Sequence, residues 1–401
     1  MKNIKKVLGD RLQDFTMVLA LIALTIVFNI ITDGRVVTSS NFQNLISGNA
    51  YVMILSIGMM MVIVIGQIDL SVGSVAAFSA MVMAIVVRDY GISWWLGILI
   101  SLIVGTLIGA WQGFWVAKLN IPGFITTLGG MMIFRGAVIW ISKSISIPVP
   151  KELRFFGSGY LPEWGPSTGI NNSTLLLGVI AMLLYVYFQM KKYNKLKKDG
   201  EELWPYIARI VLAFIVIGFF TWIFGSGRVG TSFPIPGVIL VILVIIYHTI
   251  TQKTKFGRHI YAVGGNKNAA ALSGVNVDRT YFYTMLNMSF LAALAGVLFV
   301  GRSTSAGPSD GIGWELDAIA SVFIGGAAVS GGVGTIIATM VGGMVMIVLN
   351  NGLTLMGVGS DRTQVIKGMV LLAAVAFDVY NKEKGKISII GRLFPSKSKT
   401  K

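Results

Sequence analysis

"AYVMILSIGMMMVIVIGQIDLSVGSV", residues 50–75, opens with sixteen residues that carry no charge and then presents one carboxylate, Asp69, between Gly66 and Gly73. An apolar run of this kind is what a bilayer-crossing helix requires, since ~20 mostly apolar residues span the hydrocarbon. A lone charge facing lipid at the bilayer centre costs about 2.5–3.5 kcal/mol on insertion scales, so the chain must shelter the carboxylate itself. The reading is a joint: "QID" ends one helix and "DLSVGS" begins the next. Asp69 then caps the new N-terminus through its side chain, with the helix dipole favouring its negative charge. Gly66 and Gly73 allow close turning and packing around Ser71. Two placements remain open for this joint. It is a broken helix beside a pathway, where exposed backbone lines a cavity, or a plain cytoplasmic turn, which the placement of the span ends favours.

The rest of the chain repeats the apolar theme. Of 401 residues, 54% are hydrophobic and 12% charged, against about 25% charged in an ordinary soluble domain. Segments near 15–32, 48–66, 70–87, 93–116, 121–142, 173–190, 207–225, 234–250, 280–301, 315–329, 333–349 and 363–380 have the composition of membrane helices, the tenth being short and glycine-rich. The fold class is therefore an all-α polytopic integral membrane protein, one membrane domain of about 12 transmembrane segments (10 to 12). The N-terminus is basic and then apolar like a signal peptide, but its apolar part outruns a typical h-region and no A-x-A site follows, so it reads as an uncleaved first span.

The formal charge of +16 would suggest nucleic acid in a soluble protein. Here it reports orientation instead. Alternating the segments from a cytoplasmic N-terminus puts 22 Lys and Arg on the inner side and 8 on the outer, as the positive-inside rule requires. Both termini are then cytoplasmic: an N-terminal segment 1–14, a transmembrane domain 15–380 and a basic tail 381–401. Residues 142–172 form the longest outer loop, either a docking surface for an extracytoplasmic partner or an ordinary irregular loop. With no organelle-targeting pattern, the expected address is the plasma membrane of a bacterium, the inner membrane if Gram-negative. Gly105, Gly109 and Gly113 share one face of the fourth segment, so another helix is expected to approach it closely.

No catalytic constellation stands out. Cysteine is absent, excluding disulfides and thiolate metal sites. The histidines, His248 and His259, have no acidic neighbour, and no metal site is expected. There is no G-x-S-x-G, H-E-x-x-H or Walker A sequence, so the chain is not an evident enzyme and has no ATPase site of its own. Ionisable groups within spans are few, namely Asp69, Arg135, Glu315, Asp317, Lys367 and Asp378, which weakens a proton-relay mechanism.

The informative connector is "TQKTKFGRHIYAVGGNKNAAALSGVNVDR", 251–279, on the basic side. Two spans need only a few residues between them, so its length invites a function. Gly264 and Gly265 permit a sharp turn, Asn266 caps a helix, "KNAAALS" propagates it and Gly274 ends it. Ala269, Ala270 and Ala271 would present a smooth face, either fitting a groove on another protein or belonging to a surface helix with no partner.

"FGRHIYAVGGNKNAAALSGVNVDR" resembles the cytoplasmic signature of permease subunits from bacterial ABC importers of the ribose, galactose and xylose type. Three further blocks match in family order: "IDLSVGS" at 68–74, "NIPGFITTLGGM" at 120–131 and "ELDAIASVFIGGAAVSGGVGT" at 315–335. Size and arrangement are similar to the xylose and multiple-sugar branch, with extra material around 185–232 relative to the smaller ribose-type permeases. The resemblance implies a homodimer forming the pathway, a double-domain ABC ATPase on the cytoplasmic face that uses the ATP, and an extracytoplasmic sugar-binding protein. It implies no cofactor bound by this chain, and a monosaccharide, xylose or a related pentose or hexose, as cargo. It places Gly257, Arg258, Gly264, Gly265, Asn266, Ala269, Ala270 and Gly274 in the ATPase-coupling segment. "AVSGGVGT", 328–335, with Gly331 and Gly332, suggests a second joint like that of Gly66, Asp69, Ser71 and Gly73, bordering the pathway. Polar candidates for the pathway are Asn49, Ser56, Gln67, Ser71, Ser74, Thr126, Thr127, Asn287, Ser321 and Asn350. The alternative function is an ion-gradient-driven secondary carrier of a small polar solute.

Overall fold

The computed structural model describes residues 12–166, 168–197, 202–228 and 230–382. Residues 1–11 of the N-terminal segment and the tail from 383 lie outside the described residues. Helix α1 is Leu12–Ile31, so residues 12–14 open a helix rather than precede it. It is followed by α2, Ser39–Val64, α3, Val72–Asp89, α4, Trp94–Lys118, and α5, Gly123–Ser142. The starts are set by short polar side chains where the sequence supplies them: the Thr38 hydroxyl accepts from the Asn41 amide ahead of α2, which satisfies one of the orphan N–H groups of a first turn.

Part of the loop 142–172 has regular structure and is fastened to the body. Strand β1, Ile147–Pro148, pairs antiparallel with β2, Ser305–Ala306. A short helix α6, Arg154–Ser158, follows, and its Gly157 packs directly on the backbone of Gly301 and Arg302. The loop thus caps the end of α12, Val277–Ser303.

Helices α7, Asn172–Leu196, and α8, Trp204–Gly225, pack chiefly on each other, with most of their surface left open. They occupy the region where extra material was expected. Phe42 joins them to the body through Phe220 and Phe224. Helix α9, Ile235–Lys253, leads into the connector 251–279.

The core is built around α12, which packs on α2, α3 and α4. The expected close approach at the glycine face of α4 is present and its partner is α12: Gly105 lies on Ser289 and Ala293, Gly109 on Leu286 and Gly113 on Phe282. A Cβ at Gly105 or Gly109 would come within 2.7 Å of α12 backbone atoms.

The last segments depart from simple spans. Helix α13, Trp314–Ile324, has 11 residues, about 16 Å at 1.5 Å per residue, too short to cross the hydrocarbon alone. The expected span at 315–329 is therefore corrected to a half-length helix, because Gly325 and Gly326 end it early. Helix α14, Ile336–Leu355, and α15, Ser360–Lys382, complete the described chain. Among the described residues nine helices are long and apolar enough to cross a membrane. The apolar part of α1 is shorter, and α15 is long but carries Asp361, Arg362 and Lys367.

Candidate functional site

The connector 251–279 folds as two helices, not one. Helix α10, Lys255–Gly265, precedes α11, Lys267–Leu272, with Asn266 in extended backbone between them. Thr254 caps α10 by accepting from the Gly257 amide. Asn266 caps α11, its Oδ1 accepting from the Ala269 amide at 2.9 Å. Gly274, at φ +82°, ends α11 in the left-handed conformation that L side chains rarely adopt. Gly257 is buried under the carbonyls of Ile250 and Thr251, whereas Arg258 faces outward.

Two expectations are corrected here. Gly264 and Gly265 do not make a turn; they are the last residues of α10, and the change of direction falls on Asn266. The three alanines do not share one face. Ala270 is turned into the core, while Ala269 and Ala271 point outward beside Leu272, which is 90% exposed. Leu272 was missed by sequence reasoning because an isolated leucine at the end of a short helix looks like ordinary core.

The reason Gly264 must be glycine is a contact far away in sequence. A Cβ there would overlap the Val64 carbonyl oxygen at the end of α2 and stand 2.8 Å from the Gly332 amide. Gly332 itself donates its N–H to that same Val64 oxygen at 2.7 Å. Gly331 lies against Gly264, Val64 and Gly66, and Gly332 lies on Gly265. The Tyr261 hydroxyl donates to the Gly334 carbonyl at 2.7 Å. The connector 251–279, the joint at 66–71 and the glycine segment 328–335 therefore meet at one point. "AVSGGVGT" is in direct contact with the first joint.

From that point residues 66–71 run without helix to the start of α3. Gly66, at φ +83°, turns the chain. The Gln67 Oε1 accepts from the Gly123 amide at 2.7 Å, and the Leu70 amide donates to the Thr127 Oγ1 at 3.0 Å, so the joint is fastened to the first turns of α5. Asp69 is fully buried. It does not cap α3 as the N-cap residue: the helix begins at Val72, and Asp69 Oδ1 accepts from the amide and hydroxyl of Ser71, at 2.8 and 2.7 Å. The correction is one of register, because a carboxylate two residues ahead of an N–H forms a local turn as readily as a cap. Ser71 also receives a hydrogen bond from Gln112 of α4 at 2.7 Å. Gly73 lets the backbone of Gly311 approach α3, with Glu315 beside it.

The polar pathway candidates separate by where their side chains go. Ser56, Ser74 and Ser321 hydrogen-bond helix carbonyls nearby. Thr127 and Gln67 hold the joint, and Asn287 accepts from the Tyr247 hydroxyl at 2.6 Å. Thr126 is buried. Asn49 and Asn350, in contrast, line one recess between α2, α13, α14 and α15, together with Asp317 and Lys367. Two ionisable groups that looked isolated in sequence are thus partners, Lys367 Nζ lying 2.5 Å from Asp317 Oδ1. Among the described residues no group of three or more His, Cys, Asp or Glu is placed to hold a metal ion.

Comparison with known proteins comes out in the same direction. A family described as "Branched-chain amino acid transport system / permease component" matches residues 41–375. The xylose transport system permease protein XylH of Escherichia coli (strain K12) is 35% identical over 316 residues, 77% of this chain and 77% of that protein. The ribose import permease protein RbsC of Haemophilus influenzae is 30% identical over 282 residues, 70% of this chain and 67% of that protein. The fructose import permease protein FruG of Bifidobacterium longum is 27% identical over 281 residues, 70% and 65% of the two chains. No solved structure matches.

Proposed function

The chain belongs to the branched-chain amino acid transport system / permease component family, and on that premise we propose that it is the membrane subunit of an ATP-driven importer of a monosaccharide. The carrying observation is the gathering of four sequence blocks, 68–74, 120–131, 256–279 and 315–335, around the contact of Val64, Gly264 and Gly332. The relatives named for xylose, ribose and fructose transport support a sugar as cargo.

In this reading ATP is bound and hydrolysed by a separate double-domain ATPase docked on α10 and α11, where Leu272 is the anchoring side chain. A push on α11 passes through α10 to the ends of α2 and the 325–335 loop, because van der Waals contact there leaves no slack. Two copies of the chain form the pathway and a soluble sugar-binding protein supplies it from outside. Twelve helices cross or enter the bacterial plasma membrane, with both termini inside.

The test is copurification and uptake in one preparation. The tagged chain is expected to bring down an ATPase, and uptake is expected to survive collapse of the proton gradient. Leu272→Asp should insert normally, since the residue is on the surface, yet lose most of the ATPase. Absence of any ATPase together with uptake that stops when the gradient collapses would replace this reading with the ion-driven carrier.

A further inference from the structure

Helix α7 carries its own depth scale. Residues 175–188 hold no charge, Asn171, Asn172, Ser173 and Thr174 stand before them, and Lys191, Lys192 and Lys195 follow before the helix ends at Leu196. From Asn172 to Lys191 the helix rises about 28 Å at ~1.5 Å per residue. That is close to the ~30 Å of a bilayer's hydrocarbon, so the three ammonium groups stand at headgroup level. The belt residues agree: Tyr193 stacks on Tyr206 of α8 with ring centroids 5.4 Å apart, and the half-exposed Trp204 donates its indole N–H to Glu202 at 2.6 Å. Aromatic side chains with a polar tip favour that level.

One face of α7 has an order that the rest of the helix lacks. At about 100° per residue, Ile180, Leu184, Tyr187, Phe188, Lys191 and Lys195 fall within one arc, with Lys192 on its flank. The face turned to α8 is a different one, since Gly178 meets Thr221, Met182 meets Gly218 and Tyr193 meets Tyr206. The arc is open along its whole length, from 47% exposure at Ile180 to 62% at Phe188, and all three lysines are exposed. It runs from aliphatic through aromatic to cationic. Ile180 to Lys191 covers about 16 Å at ~1.5 Å per residue, one leaflet's depth.

The lysines are not used within the chain. Among the described residues no carboxylate forms an ion pair with Lys191, Lys192 or Lys195, and Lys191 Nζ lies 5.8 Å from the centre of the Tyr187 ring. The helix dipole favours cations at this end and sidedness favours them on one surface. Neither accounts for their alignment with an open apolar strip one leaflet long. The ties of the pair α7 and α8 to the body through Phe42 lie at the opposite end, by Phe220 and Phe224. The lysine end is thus left for something other than protein to cover.

We propose that this face of α7 binds a phospholipid with a net negative headgroup. The phosphate sits between Lys191 and Lys195 with Lys192 beside them, the glycerol region lies on Tyr187 and Phe188, and one acyl chain runs along Leu184 and Ile180. Phosphate supplies the counter-charge that the chain withholds, and the strip makes the recognition that of a lipid rather than of a free anion. The proposal is independent of which cargo the chain carries.

The full chain, purified in a mild detergent, is titrated with dioleoyl phosphatidylglycerol and with dioleoyl phosphatidylcholine, and bound lipid is counted by native mass spectrometry. Phosphatidylglycerol is expected to bind at least ten-fold more tightly, a comparison that needs no variant to fold. The triple variant Lys191→Gln, Lys192→Gln, Lys195→Gln should abolish that preference. Removing the same charge from exposed positions of the connector and its approach, Lys253→Gln, Lys255→Gln, Lys267→Gln, should leave it within two-fold. Glycerol phosphate, which has the headgroup chemistry without acyl chains, should not displace the lipid. Equal binding of the two lipids, an unchanged preference in the α7 variant, or an equal loss in both variants would overturn the proposal. Displacement by glycerol phosphate would replace it with a site for a soluble anion.

Discussion

At the scale of single residues, the structure separates two neighbouring glycines that look alike in sequence. Gly264 is pressed on the Val64 carbonyl, whereas a Cβ on Gly265 meets nothing within 4 Å. Gly264→Ala should therefore lower the melting stability of the purified protein by about 1–3 kcal/mol, the usual scale of overpacking. Gly265→Ala should leave that stability unchanged or slightly raised, because alanine is the better helix former. Bulky residues at Gly264 that still insert should uncouple ATP hydrolysis from uptake, measured as ATPase turnover per sugar imported. What was legible here was local: Asn266 as a cap and Gly274 as a stop act on residues within one turn. The partner of Gly264 was not legible, because Val64 contributes a backbone oxygen and no side-chain chemistry marks it. Asp69 was half legible, since its role in holding the joint was readable and its exact hydrogen-bond register was not.

At the scale of elements, periodicity located helices well and their partners poorly. All twelve apolar segments have a helix at or near them, yet among the described residues nine are long and apolar enough to cross a membrane, and α13, with 11 residues, is too short to span alone. The glycine face of α4 announced a close neighbour, and nothing in its own sequence named α12. Gly109→Leu tests that pairing. It should force α4 off Leu286 and Ser289 and reduce the yield of folded protein several-fold, read by size-exclusion chromatography in detergent. A leucine at Gly129, where a Cβ meets nothing within 4 Å, should have a much smaller effect on the same measurement. The loop 142–172 illustrates the opposite limit. Its prolines and glycines suggested irregular chain, while its fastening by β1, β2 and Gly157 depends on residues 301–306, far beyond the reach of any local pattern.

At the scale of the whole molecule, the sidedness expected from the charge distribution can be checked without a partner. In the cysteine-free background, Lys151→Cys should react with an impermeant maleimide added to intact cells, and Ser273→Cys only after the membrane is opened. Reversed labelling would invert the orientation. The pair α7 and α8 is weakly attached, so removing it would expose little core. The position of α12 has the contrary consequence, and it concerns synthesis. Chains emerge and begin to fold from the N-terminus, so α2, α3 and α4 enter the membrane long before Val277–Ser303 is made. Their shared slot stays open to lipid, and the glycine ladder of α4 stays bare, while more than a hundred further residues leave the ribosome. The bundle closes late and around its middle, which makes the interval before α12 arrives the one in which a nascent chain is most exposed to quality-control proteases.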